Sequence, residues 1–179
     1  MPALIKAREQ GKLLFLGITE HFGADTSHKM LSAAIPTGVW DVVMVGFNLL
    51  NPSARRNVLR LSQAHNVGVL DMFAVRRALS NPEGLKEALD AIDKAGQLDR
   101  RKLDTDDPLG FLKGEGGGIV DAAYRFCRHE PGIHVVLTGT GNIEHLKENV
   151  ASINRGPLPS KTLSKLEDVF GQVDSVSGN

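Results

Sequence analysis

Polar and apolar positions along this chain fall into blocks rather than alternating residue by residue. Short apolar runs occupy residues 13–18 (LLFLGI), 41–46 (DVVMVG), 67–72 (VGVLDM) and 134–138 (HVVLT), each bounded by Gly, Pro, Asn or charged residues. None has a 3.6-residue period, so each predicts a strand, and near-continuous apolar strands predict a parallel sheet covered on both faces. A helical pattern follows every run. Asp25 or Thr26 can cap a helix carrying Met30, Leu31, Ala33 and Ala34; Ser53 can cap one carrying Val58, Leu59, Leu61 and Ala64; Asn142 can cap one carrying Leu146, Asn149 and Val150. The alternation is β-α four times over, an α/β class.

After the third run the pattern predicts a helix over residues 82–95, stopped by Gly96. Residues 97–118 are then polar and Gly-rich, a flexible loop with a hinge in the Gly114-Glu115-Gly116-Gly117-Gly118 stretch, and they lead into a helix over 119–129. A last helix is predicted over 161–173, and residues 174–179 are expected to fray. The whole chain, 1–179, reads as a single domain. Four β-α units fit a small open sheet or part of a (β/α)8 barrel. A complete barrel takes about 250 residues, more than this chain has.

Composition narrows the function classes. With 21 Lys+Arg against 21 Asp+Glu the formal net charge is zero, and the basic stretches Arg55-Arg56 and Arg100-Arg101-Lys102 are too short for a nucleic-acid footprint. Hydrophobic residues make up 41% and charged residues 23%, the proportions of an ordinary globular domain. A single cysteine, Cys127, excludes an internal disulfide and points to a reducing cytoplasm. The charged N-terminus is unlike a signal peptide, and nowhere do 18 apolar residues run together, so neither export nor a membrane span is expected.

Several constellations can be set aside. His21 and His28 lack a third clustered ligand, so no metal site is expected. Ser53, His65 and Asp71 have no Gly-x-Ser-x-Gly elbow, and the Gly114–Gly118 run follows no strand and precedes no Lys-Ser/Thr.

Other segments carry a more specific likeness. They are Gly11-Lys12 through Gly17-Ile18-Thr19-Glu20-His21-Phe22, Asp41 through Gly46-Phe47-Asn48-Leu49-Leu50-Asn51, Met72-Phe73-Ala74-Val75-Arg76-Arg77-Ala78-Leu79, Ala123-Tyr124-Arg125-Phe126, Pro131 through Thr138-Gly139-Thr140, and Glu144-His145-Leu146-Lys147-Glu148-Asn149. In order and spacing these resemble the aldo/keto reductase family, from just before its fifth barrel strand to its last helix. The resemblance implies four consecutive β-α units of a TIM-type barrel, a half barrel, with an extra C-terminal helix. It also implies NADP-dependent carbonyl reduction by hydride transfer. The family's catalytic Asp, Tyr, Lys and His come from its first four strands, so no catalytic residue is expected here and the isolated chain is expected to be inactive. Tyr124, the single tyrosine, is expected to pack on an outer helix.

For the cofactor, the resemblance sets Gly139 and Thr140 against the phosphates, where the turn opens a helix whose dipole favours anions. It sets His145 at the 2′-phosphate and Glu148 and Asn149 at the adenine. Thr19-Glu20 stands where the family has Ser-Asn on the nicotinamide carboxamide, Met44 where a Gln is common, and Met72 or Phe73 where a side chain packs on the nicotinamide face. Arg77, after the third run, can pair with pyrophosphate. The alternative reading is a non-enzymatic nucleotide-binding or assembly module. Either way the open sheet edges predict self-association, or complementation by a missing N-terminal half. No nucleic-acid or membrane partner is expected.

Overall fold

In a computed structural model, which describes residues 1–115 and 117–179, the four runs form one parallel sheet in the order β1 (Gly17–Thr19), β2 (Val42–Gly46), β3 (Gly68–Met72), β4 (Val135–Val136). Neighbours in the sheet are neighbours in sequence, joined by helical crossovers. Gly17 pairs with Val42, Val43 with Val69 and Leu70 with Val135. Between and after the strands run α2 (Lys29–Ala34), α3 (Val58–Ala64), α4 (Arg77–Ser80), α5 (Pro82–Lys94), α6 (Gly118–Arg128), α7 (Ile143–Ile153) and α8 (Ser160–Phe170). A short α1 (Pro2–Glu9) precedes β1, where the sequence pattern shows no helix.

Only one sheet face is fully covered, which corrects the expectation of two. Val43, Val45, Val69 and Val136 are buried in a core shared with Leu59, Ile92, Phe126 and Phe170. On the opposite face Val42, Met44 and Leu70 are half-buried, and Val135 and Leu137 keep 46% and 38% of their surface in solvent. The outer strands are also shorter than their apolar runs. Leu14 and Phe15, ahead of β1, are 78% and 73% exposed, at an edge of the sheet that no strand of the described residues covers.

Local chemistry explains the starts of α2, α5 and α7. The Asp25 carboxylate accepts from Lys29 N and Met30 N at 3.0 and 2.8 Å, the Asn81 side chain from Gly84 N at 2.7 Å, and the Asn142 side chain from Glu144 N at 2.9 Å. Ser53 does not cap α3. It lies in a separate 3₁₀ turn (Ser53–Arg55), and Asn57 stands at the α3 start.

Two segments expected to be loose are packed against the core. The 97–118 segment contains 3₁₀ turns at Arg100–Lys102 and Gly110–Glu115, and Leu109 and Leu112 are fully buried; the hinge expected there falls in part on residue 116, outside the described residues. The C-terminal tail does not fray either. Val173, Val176 and Gly178 are buried, and Asp174 exchanges hydrogen bonds with Gln97. No helix among the described residues is long and apolar enough to cross a membrane.

One core acid stands out. Asp71, on the covered face of β3, accepts from Phe47 N at 3.1 Å through Oδ1, while Oδ2 has no hydrogen-bond partner among the described residues. Burial pushes its carboxyl well above the usual range, and also raises the Cys127 thiol packed near it. A carboxyl that holds its proton more tightly when folded has no effect on stability below its unfolded value near 4. It costs stability as the pH climbs from there, because the unfolded chain releases the proton first. Asp71→Asn keeps the bond to Phe47 and removes that cost. In urea denaturation the variant should gain more on wild type at pH 8 than at pH 4, and a gap that does not widen with pH would contradict this assignment.

Candidate functional site

All four strands point the same way, so their carboxyl ends gather the segments 20–28, 47–53, 73–76 and 138–142 at one end of the sheet. That is where ligands bind in parallel α/β folds. Beneath these loops lies a chain of buried polar groups. Gly46 N donates to Glu20 Oε1 at 2.7 Å, and both carboxyl oxygens of Glu20 face His28 Nδ1, at 2.9 and 3.0 Å. His28 Nε2 is 3.0 Å from Ser53 Oγ, which donates to Asn51 Oδ1 at 2.6 Å. Asn51 Nδ2 in turn donates to Thr26 O and, at 2.7 Å, to Val176 O in the tail.

The hydrogen-bond directions follow from the Asn51 amide. Its nitrogen faces two carbonyls, so its oxygen is the acceptor for Ser53. The Ser53 proton is thereby used, and His28 must donate from Nε2 to the serine oxygen. That leaves one further proton bridging Nδ1 and the Glu20 carboxyl. Glu20, His28 and Ser53 are all buried, so the group is a clamp and not an accessible nucleophile. A second clamp runs beside it: Asn48 Nδ2 donates to Ser177 O at 3.2 Å, and Ala78 N to Gly178 O at 3.0 Å.

Above the clamp is a stack of planar groups. The Phe22 ring lies 5.3 Å from His28 and 6.4 Å from Phe73, nearly parallel to both, and the Arg76 guanidinium sits 3.9 Å over the Phe73 ring. Gly46 is required under Phe22, since a Cβ there would lie 2.2 Å from the ring. At the mouth of this region Thr19 Oγ1 approaches Met72 Sδ at 3.9 Å.

The β4–α7 turn is built differently. Thr138 Oγ1 is held by Tyr124 OH at 2.8 Å and by Asn149 Nδ2 at 2.9 Å, and burial raises the Tyr124 phenol above its ordinary value. Beyond that anchor Gly139, Thr140 and Gly141 are exposed, and an added Cβ at Gly139 or Gly141 would meet nothing within 4 Å. Asn142 caps α7, and His145 and Glu148 are exposed along its first turns.

The site residues expected from sequence therefore separate into groups. Thr19, Met72 and Phe73 come together at the ends of β1 and β3, and Gly139, Thr140, His145 and Glu148 line the open turn and helix. Three of the expected residues make other contacts. Glu20 turns down to Gly46 N and His28 instead of facing a carboxamide. Asn149 is buried, its amide spent on Thr138 instead of reaching outward. Arg77 is paired with Glu87 across α4 and α5. His65 is exposed and Asp71 lies in the core, so neither meets Ser53; His21 is exposed, away from the buried His28.

A model of the aldo/keto reductase family matches residues 1–170. The chain belongs to the aldo/keto reductase family. L-galactose dehydrogenase of Arabidopsis thaliana is 24% identical over 181 residues, covering 99% of this chain and 54% of that protein. Among solved structures, the holo form of aldo-keto reductase AKR11C1 from Bacillus halodurans superposes with a TM-score of 0.67 at 19% identity, covering 98% of this chain and 56% of that one. The aldo/keto reductase of Klebsiella pneumoniae in complex with NADP and acetate gives 0.63 at 17%, over 98% of this chain and 54% of that one. The chain thus spans about half the length of these relatives, and its four-stranded sheet has the fold of the corresponding part of a (β/α)8 reductase barrel.

His28, Ser53, Asn51 and Arg76 make contacts at this end of the sheet that the sequence reading did not assign to them. The Asn48-x-x-Asn51-Pro52-Ser53 run is a polar turn signal, and it turns out to be buried. Removing His28 leaves the buried Glu20 carboxyl with Gly46 N alone and takes the imidazole away from Ser53. His28→Leu should therefore destabilise by about 3–5 kcal/mol in urea denaturation. A loss below about 1 kcal/mol, the range of surface changes, would mean that the contact is not holding the loops.

Proposed function

We propose that residues 1–179 supply the adenine–phosphate end of an NADP site in a carbonyl reductase, corresponding to barrel strands five to eight, with the proton donor for the carbonyl provided from outside these residues. The observation that carries this is the β4–α7 turn: exposed and uncrowded at Gly139–Gly141, anchored from below through Thr138, and opening a helix of 11 residues. Backbone N–H groups and the positive end of the helix dipole at such a turn fit a phosphate. The residues present suit the cofactor at this end. His145 and Glu148 are exposed within reach of a nucleotide lying on α7.

The nicotinamide end is sparser. Thr19 keeps a hydroxyl there and Met72 and Phe73 an apolar surface, but Glu20 is consumed by its own buried contacts. When bound, the nicotinamide supplies hydride; what these residues do is bind and orient it. The only tyrosine, Tyr124, is engaged by Thr138 and nearly buried, which supports a proton donor from elsewhere and an isolated chain without reductase activity. The uncovered apolar positions, Phe15 at one edge of the sheet and Val135, Leu137, Ile143 and Leu146 at the other, favour closure by another segment or by a second copy of the chain. The lone buried Cys127 is in keeping with a cytoplasmic setting.

The test is calorimetric titration. Adenosine 2′,5′-bisphosphate should bind about as well as whole NADP, and Gly139→Asp, which sets a carboxylate against the phosphates, should weaken both alike by a few kcal/mol. Binding that needs the nicotinamide ring, or that ignores Gly139→Asp, would contradict the proposal.

A further inference from the structure

The segment that leaves β4 has little of its own to hold a shape. Gly139, Thr140 and Gly141 are exposed in succession, and nothing lies within 4 Å of where a Cβ would sit on either glycine. Glycine gives up more backbone freedom on ordering than any other residue, so such a turn stays in one conformation only if something outside it enforces this. The amides of Gly139, Thr140 and Gly141 make no hydrogen bond with the described residues. The ties are at the two ends. Asn142 N donates to Thr140 Oγ1 at 3.2 Å beside the α7 cap, and Thr138 Oγ1 meets Tyr124 of α6 and Asn149 of α7.

The tie at Thr138 has a definite sense. Asn149 Nδ2 can only donate, so it takes one lone pair of Thr138 Oγ1. The Tyr124 hydroxyl is buried and has no other partner among the described residues. As an acceptor it would leave its own hydrogen unpaired, so the phenol donates and takes the second lone pair. Two donors from two helices thus converge on one oxygen. They hold Thr138 in one rotamer, and for a β-branched residue the rotamer and the backbone angles restrict each other. The same contact spends the Asn149 amide nitrogen inside the protein, although Asn149 lies on the helix that the turn opens.

We propose that Tyr124 and Asn149 are positioning residues for the turn, acting through Thr138 to hold the Gly139–Gly141 backbone in one conformation, and that Asn149 makes no contact with the base of a bound nucleotide. The proposal rests on the nucleotide reading for what the turn binds, but not for the lock itself. Loosening the lock then weakens a ligand through its phosphates, by the same factor whether or not a base is attached.

Two measurements on the whole chain test this. Without ligand, ¹⁵N relaxation reads the Gly139 and Gly141 amides. Their order parameters should be about 0.85 in wild type and fall below about 0.6 in Thr138→Val, which keeps the shape and removes the hydroxyl. Tyr124→Phe and Asn149→Ala should each lower them part of the way, and Thr138→Ser, which puts a hydroxyl back, should return them to the wild-type value. With ligand, calorimetry compares inorganic pyrophosphate and adenosine 2′,5′-bisphosphate. Thr138→Val should weaken both about tenfold, and Asn149→Ala should weaken both by one common, smaller factor. Tyr124→Phe combined with Asn149→Ala should cost no more than Thr138→Val, because all three act through one oxygen. Glycine order that is unchanged in Thr138→Val would overturn the lock. A loss in Asn149→Ala confined to the adenosine ligand would overturn the proposal as well, because the amide would then be reading the base. If wild type binds neither ligand while the glycine order still falls in Thr138→Val, the nucleotide reading fails and the lock stands. If wild type binds both and Thr138→Val binds them as tightly, the nucleotide reading stands and the positioning role falls.

Discussion

A buried carboxyl group at the end of β1 has to be answered, and the way it is answered shapes everything around it. Taking the Glu20 carboxyl out of water is expensive unless its oxygens are paired. Gly46 N and His28 Nδ1 do this, and His28 then needs a partner for its other nitrogen, which brings in Ser53, then Asn51, then the tail carbonyl of Val176. One unavoidable desolvation thus links the loops after β1 and β2 to the last residues of the chain. The link is directional from Asn51 through Ser53 to His28 Nε2, because the Asn51 amide faces two carbonyls.

The same arrangement supports the two parts of the candidate site. His28, fixed on both ring nitrogens, gives Phe22 a rigid surface to stack on, and Phe22 supports Phe73 and through it Arg76. The open turn after β4 has its own smaller version, in which Thr138 is pinned by Tyr124 and Asn149 so that Gly139 and Thr140 can stay exposed without drifting. In both places inward-turned polar side chains hold outward-facing groups. That division explains why Glu20 and Asn149 lie next to the site yet do not face it.

The strands were legible because each is an apolar run long enough to read without periodicity, and the α7 start because Asn142 caps locally. The open turn was legible for a similar reason: Thr138-Gly139-Thr140-Gly141-Asn142 contains its own geometry. What could not be read depends on partners distant in sequence. Asn48 and Asn51 reach the tail across 129 and 125 residues, and so turn a polar terminus expected to fray into a buried one. Arg76 and Arg77 are indistinguishable as neighbours in a sequence, and only the placement of Glu87 and Phe73 decides which of them is spent on an ion pair. The uncovered sheet face has the same origin. Apolar strands announce that they want covering, but not whether these residues provide it.

Amide hydrogen exchange tests the clamp most directly. The Gly46 amide, donated to the Glu20 carboxyl, and the Ser53 amide, donated to Asn51 Oδ1, should exchange as slowly as the Val43 and Val69 amides of the sheet, opening only with global unfolding. Exchange of Gly46 and Ser53 through a low-energy local opening, while the strand amides stay protected, would contradict the claim that the buried chain from Glu20 to Asn51 holds the carboxyl end of the sheet together.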